Sequence, residues 1–178
     1  MKTAAFAVIA IMLGSLVALR TAATAGQQQP KVDGRPLMVL TGAKSQLRDP
    51  AYHRITTADQ LTEVWRSHLG PVFNRGDDPA PQVDFERCMV IAMLEGASVN
   101  SHGLRIEAVA QKYDTIILRF DDISYQTSGG ANQVAPYAFV LLPKSENQVV
   151  LEKNVQQYLG QPPVWQEVAR LRSEDRNL

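Results

Sequence analysis

The sequence predicts an α+β domain. An antiparallel β-sheet of about six or seven strands packs against one main helix, and a second helix lies at the C-terminus. Three observations predict it. Short apolar runs separated by polar turns recur from Phe85 to Glu152, as strands do. One segment, Ala58 to Leu69, has helical periodicity instead. The connections between the apolar runs are short, which implies antiparallel pairing.

The chain opens with a segment outside that domain. Residues 1–25 carry the three parts of a secretory signal peptide: Lys2, the apolar run Ala4 to Leu19, and the small-x-small site Ala23-Thr24-Ala25. Cleavage is expected after Ala25. The apolar run is shorter than the roughly 20 residues that span a bilayer. The residue directly after the cleavage site is Gly26, not a cysteine that could carry lipid. The expected product is secreted or periplasmic, with no stable membrane anchor after cleavage.

The whole chain of 178 residues balances 18 Lys+Arg against 18 Asp+Glu. Without Lys2 and Arg20 the balance is 16 against 18. That leaves no basic field for a phosphate backbone, so no nucleic acid is expected as a partner. Apolar residues make up 45% and charged residues 20%, the composition of a folded domain. Cys88 is the one cysteine. It excludes an internal disulfide, and its place in an apolar run predicts a small buried hydrophobe.

Residues 26–35 are polar, with Pro30 and Gly34, and read as a flexible tether. The domain follows over 36–154. Arg35–Thr41, with the apolar run Leu37 to Leu40 and bounded by Gly42, forms a first strand, and Tyr52 to Ile55 a short second one. Thr57 and Gln60 make a capping box. Leu61, Val64, Trp65, His68 and Leu69 then share one helical face, and Gly70-Pro71 ends the helix. Pro71 to Pro81 is an irregular loop.

Glu86 to Leu94 is apolar after Arg87, as a central strand covered on both faces would be. Leu104–Ala110 and Thr115–Asp121 alternate and pair as a hairpin. Ser124 to Ala135 is a long polar loop with Gly129-Gly130. Tyr137–Leu142 and Gln148–Glu152 are strands joined by the polar turn Lys144–Asn147. Residues 155–178 read as a helical extension: Pro162-Pro163 can start a helix whose apolar face is Val164, Trp165, Val168, Ala169 and Leu171.

The order of these pieces is familiar. A short strand leads to ITTADQLTEVWRSH from Ile55, then to VDF at Val83–Phe85, the strand MVIAML and the strand PYAFVLLPK from Pro136. Over about residues 36–153 this resembles the PrcB-type C-terminal domain of secreted bacterial proteins, named for an accessory protein of a surface protease complex. The resemblance implies an accessory, protein-associated role and carries no catalytic residues. The family's Gly-Gly-aromatic turn is reduced here to Gly103 in Ser101-His102-Gly103-Leu104.

Chemistry is sparse. His53, His68, His102 and Cys88 lack metal-ligand spacing, so no metal and no cofactor are expected. Asp121 and Asp122 are strand neighbours whose side chains point to opposite faces. Asp77-Asp78 reads as a solvated turn. Two sites remain as candidates. The first is the polar loop, with Tyr125, Gln126, Thr127 and Asn132 offered to a protein partner on a rigid sheet. The second is the turn with Ser98, Ser101 and His102, which would suit a small hydrolase or ligand-binding domain but lacks a nucleophile elbow. The expected function is an exported non-catalytic module, not an enzyme, that binds or stabilises another exported protein such as a protease.

Overall fold

A computed structural model of the chain describes residues 34–75, 79–156, 158 and 160–173. The expected leader, its cleavage site and the tether through Asp33 lie outside the described residues, as do Asp77 and Asp78. In chain order the elements are β1 (Met38–Gly42), β2 (Ala51–Ile55), α1 (Ala58–Leu69), β3 (Cys88–Leu94), β4 (Ser98–Val99), β5 (Ser101–Lys112), β6 (Thr115–Ser124), β7 (Gln133–Val134), β8 (Tyr137–Pro143), β9 (Gln148–Asn154) and β10 (Trp165–Leu171). A 3-10 turn, Gly70–Arg75, follows the helix.

The expected α+β arrangement is corrected: the fold is mostly β. Its strands form two four-stranded sheets, in the orders β1-β8-β3-β2 and β10-β9-β6-β5, and a small β4-β7 pair. Among the described residues there is no C-terminal helix; Trp165–Leu171 is β10, antiparallel to β9. Its apolar spacing misleads because a β-bulge between Glu167 and Ala169 inserts one residue. An inserted residue turns a period of two into a local spacing of three, which mimics a helical face.

Pairing is also not antiparallel throughout. β8 and β9 are joined by a short turn but lie in different sheets. The turn carries the chain from one sheet to the other, and β9 returns parallel to β6. Arg54, buried, holds this crossing by donating to the Asn147 carbonyl at 2.8 Å and to the Ser145 carbonyl.

The main core lies between the two large sheets. Met89, Ile91 and Met93 of β3 and Ala138, Val140 and Leu142 of β8 face Leu118 and Phe120 of β6, Val149 and Leu151 of β9, and Leu171 of β10. The alternate residues Val90, Ala92, Leu94 and Phe139 face the other way, onto Leu61 and Trp65 of α1. β3 is therefore covered on both faces, by a sheet and by a helix. The helix begins where its cap predicts: Thr57 accepts from the Gln60 amide at 3.2 Å, and Gln60 accepts from the Thr56 amide at 2.8 Å. Gly70 closes it with φ 57°. Cys88, at the start of β3, is half-buried and free.

The edges of the two sheets meet at a seam between β1 and β5. Gly34 forms an antiparallel bridge to Val109. At the other end the Thr41 hydroxyl accepts from the Leu104 amide at 2.8 Å. Gly103, at φ 133°, allows this approach; a Cβ there would lie 2.6 Å from Thr41 Oγ1 and 2.9 Å from the Gly42 nitrogen.

Candidate functional site

The two sequence candidates converge on one corner. Ser98 lies half-buried in β4, opposite Val134 of β7. Asn100 follows in the left-handed region, at φ 53°. Its amide donates to the Asn132 carbonyl at 3.0 Å, its side-chain oxygen accepts from the Asn132 amide at 2.9 Å, and its carbonyl accepts from the Tyr125 amide at 2.9 Å. Those bonds fasten both ends of the polar loop to the start of β5. His102 is exposed and stacks on Tyr125, with centroids 4.3 Å apart and planes 25° from parallel. Asn132 donates a side-chain hydrogen bond to the Tyr125 hydroxyl at 3.2 Å. The Thr127 hydroxyl turns inward to the Gly129 and Gly130 carbonyls, each at 3.3 Å, and Gln126 is exposed.

Ser101 does not join that surface. It is buried, and its hydroxyl accepts from the Gly103 amide at 3.0 Å. Successive strand residues face opposite ways, so the hydroxyl and the His102 ring are on different sides of β5. The arrangement brings His102, Tyr125 and Asn132 together. It does not pair Ser98 or Ser101 with His102 as nucleophile and base.

Beneath the corner is an ionic cluster that the sequence did not reveal. Glu95, just after β3, has its side chain 6% exposed. It accepts from the Tyr52 hydroxyl at 2.6 Å and pairs with Lys153 of β9. Burial, then the Glu95 carboxylate, pushes the Tyr52 phenol far above its ordinary range, so it remains a donor. Asp122 of β6 faces the same cluster, and burial raises its carboxyl above the usual carboxylate value; the Ser101 hydroxyl and the Lys153 charge pull the other way. Asp121, its neighbour, points out to Asn154 at 3.1 Å and Arg105 at 3.6 Å. The cluster's members come from positions as far apart as 52 and 153, and each sits in an ordinary strand context, so no local pattern marks them. A carboxylate with a phenol and an ammonium as partners is a satisfied anchor between the sheets.

Of the other sequence candidates, His68 is buried against Trp65, Tyr137 and Phe139, with ring centroids at 5.2, 4.1 and 5.4 Å. His53 is half-buried, and burial lowers its pKa against the opposing charge of Glu63. Among the described residues no group of three or more His, Cys, Asp and Glu is placed to hold a metal ion. Among them, too, no helix is long and apolar enough to cross a membrane.

The least expected surface is β1 itself. Leu37, Met38, Val39 and Leu40 are 59%, 63%, 36% and 38% exposed. β1 is an edge strand, paired to β8 on one side. On its other side, among the described residues, only Gly34 bridges to β5 through the backbone and only Thr41 reaches it by a side chain. The four apolar residues between those ties are left open. At the N-terminal end of this stretch the sheets part to form a cleft of about 320 Å³, lined by Arg35, Val109, Ile116, Leu142 and Lys144 among others. No family model, no curated protein and no solved structure matches this chain.

Proposed function

We propose that the protein is an exported, non-catalytic module that binds another protein, and that β1 is where it does so. The observation that carries this is the run of four consecutive exposed apolar residues, Leu37 and the first three of the edge strand β1. An edge strand offers unpaired backbone groups, and natural proteins usually blunt it with charge, proline or a cover. Here Met38–Gly42 has the sequence MVLTG, without charge or proline, and among the described residues β5 ties this edge only at its two ends, through Gly34 and Thr41. Contiguous exposed apolar surface marks an interaction site, which a partner would cover through side-chain contacts. The resemblance to accessory domains of protease complexes supports an exported protein, such as a protease, as the partner class. The hydrolase alternative near Ser98–His102 has less support, because Ser101 is committed to Gly103 and faces away from His102.

The test is capture of partners from secreted and envelope fractions by the wild type and by the double variant Met38→Lys/Leu40→Lys. Both residues are exposed, so the variant should melt within a few degrees of the wild type and lose the captured partner. Capture that survives the two lysines but fails when Tyr125 and Asn132 are replaced by Ala would move the interface to the polar loop.

A further inference from the structure

We infer that the cleft between the two large sheets is a binding site for a small monocarboxylic acid with a compact apolar body, of the size of benzoate or octanoate, its carboxylate held by Arg35 at the mouth. This site is separate from the exposed face of β1 and does not depend on what covers that face.

Its walls are set by how the chain crosses between the sheets. Gly34 is bridged to Val109 of β5, and the Leu37 amide donates to the Leu141 carbonyl of β8 at 2.9 Å. Residues 34–37 therefore span the gap from one sheet to the other and close the cleft on the β1 side. Pro36, within that span, has no N–H to pair with either sheet. The opposite wall is the turn after β8. Ser145 lines the cleft there, its carbonyl accepting from Arg54 and its hydroxyl from the Asn147 amide at 3.1 Å. Both walls are fixed by the fold, so the cleft is formed before any ligand arrives, as ligand sites usually are. A small molecule enters from the open end, past Arg35, and no strand has to part for it.

The floor is apolar. Val109, Ile116 and Leu142 line it, and all three belong to the main core. The volume, about 320 Å³, is at the foot of the range for small-molecule sites. It suits a ring or a short chain and is small for a long acyl chain.

The mouth carries one available positive charge. Among the described residues no acidic one lines the cleft. Lys144 lines it, but its ammonium is taken by the Phe85 carbonyl at 3.0 Å. Arg35 lines it too, is exposed, and makes no ion pair among the described residues. A guanidinium can hold a carboxylate by two parallel hydrogen bonds. One such cation above an apolar floor matches a singly charged acid with an apolar body. A phosphomonoester would bring a further charge that no lining group meets.

Titration of the isotope-labelled protein, followed by the NMR shifts of its backbone amides, tests this with octanoate, benzoate and their neutral amides, octanamide and benzamide. The acids should shift Val109, Gln111, Ile116 and Ser145 saturably, with Kd of about 1 mM or tighter, while Tyr125 to Asn132 stay in place. Each amide should bind about three- to fivefold more weakly than its acid, the scale of an exposed ion pair. Arg35→Ala should bring the acids down to the level of the amides and leave the amides unchanged, and Arg35→Lys should restore part of the difference. Because Arg35 is exposed, both variants should melt with the wild type. Equal affinity for acids and amides would overturn the carboxylate assignment. Saturable shifts confined to Met38–Leu40 or to α1 would put the ligand outside the cleft and overturn the site. Failure of both acids to give a saturable shift at up to about 10 mM would overturn it too. Each of these outcomes is distinct from loss of a captured protein partner, which the two-lysine variant of β1 decides separately.

Discussion

Glu95 shows how one residue can matter to the fold while being unremarkable in the sequence. It follows an apolar strand, where a polar residue is ordinary, yet it anchors Tyr52 of β2 and Lys153 of β9. Tyr52→Phe removes only the phenolic donor. It should cost about 1.5–3 kcal/mol, the value of a hydrogen bond to a charged group, as read from chemical denaturation. A cost near zero would mean that water replaces the phenol and that the cluster is not closed. Asp122 makes a prediction of opposite sign. One of its oxygens, Oδ1, is buried with no hydrogen-bond partner among the described residues, and burial raises its pKa. A carboxyl whose folded pKa lies above its unfolded one favours folding while protonated. Wild-type stability from this group therefore falls as pH rises from the ordinary value near 3.8 through the raised folded value. Asp122→Asn carries no such charge. Its melting temperature relative to wild type should be higher at pH 8 than at pH 4, and a difference independent of pH would contradict the assignment.

Elements divide by how local their signals are. The α1 helix was legible to the residue because everything that defines it is within a dozen positions: the Thr57 cap, the apolar stripe and the Gly70 stop. Trp65 sits mid-stripe, buried, edge-on to Phe139 of β8 with centroids 5.0 Å apart. Trp65→Ala should cost about 3–5 kcal/mol, as large aromatic truncations in cores do, measured by the shift of the denaturation midpoint. A loss under about 1 kcal/mol would mark α1 as a loosely held cover. The strands β3, β5, β6, β8 and β9 were legible by their apolar content or alternation, with ends within a few residues. β4 and β7, two residues each, carry too few side chains for any period. β10 failed for the opposite reason: it has a clear apolar pattern, but the bulge at Glu167/Ala169 gives that pattern a helical spacing. Of the candidate site, Tyr125 and Asn132 were legible as polar loop residues and His102 only as part of the separate Ser98–His102 turn, whereas their joining through Asn100 depends on a left-handed turn that one Asn does not announce. The exposure of β1 was not legible, because Leu-Met-Val-Leu reads the same whether it is covered or bare.

At the scale of the molecule, the difference between one sheet and two turns on a single connection. A four-residue polar turn after Pro143 looks like a hairpin, and a hairpin would have put β8 and β9 side by side in one sheet. Arg54 reaching across to Ser145 and Asn147 marks it as a crossing instead. With β9 in the second sheet, β10 becomes part of the sandwich rather than an appendage. It pairs with β9 along Val149–Asn154, puts Leu171 into the main core, and sets Trp165 under Arg119, with 5.2 Å from the guanidinium carbon to the ring centroid. A chain ended at Asn154 would keep every strand of the first sheet but leave β9 as a bare edge and open the core where Leu171 stood. Losing the Leu171 side chain alone should cost about 2–5 kcal/mol, against a total of about 5–15 kcal/mol for a typical domain. The expected result is a large drop in denaturation midpoint for the truncated chain, with Leu171→Ala accounting for a good part of it. Truncation should also promote association, since an unpaired β9 edge is open to strand pairing. A truncated chain that stayed monomeric and unfolded at the wild-type midpoint would show that the segment after Asn154 is dispensable to the sandwich, and β10 would then have to be assigned a role other than closing the core.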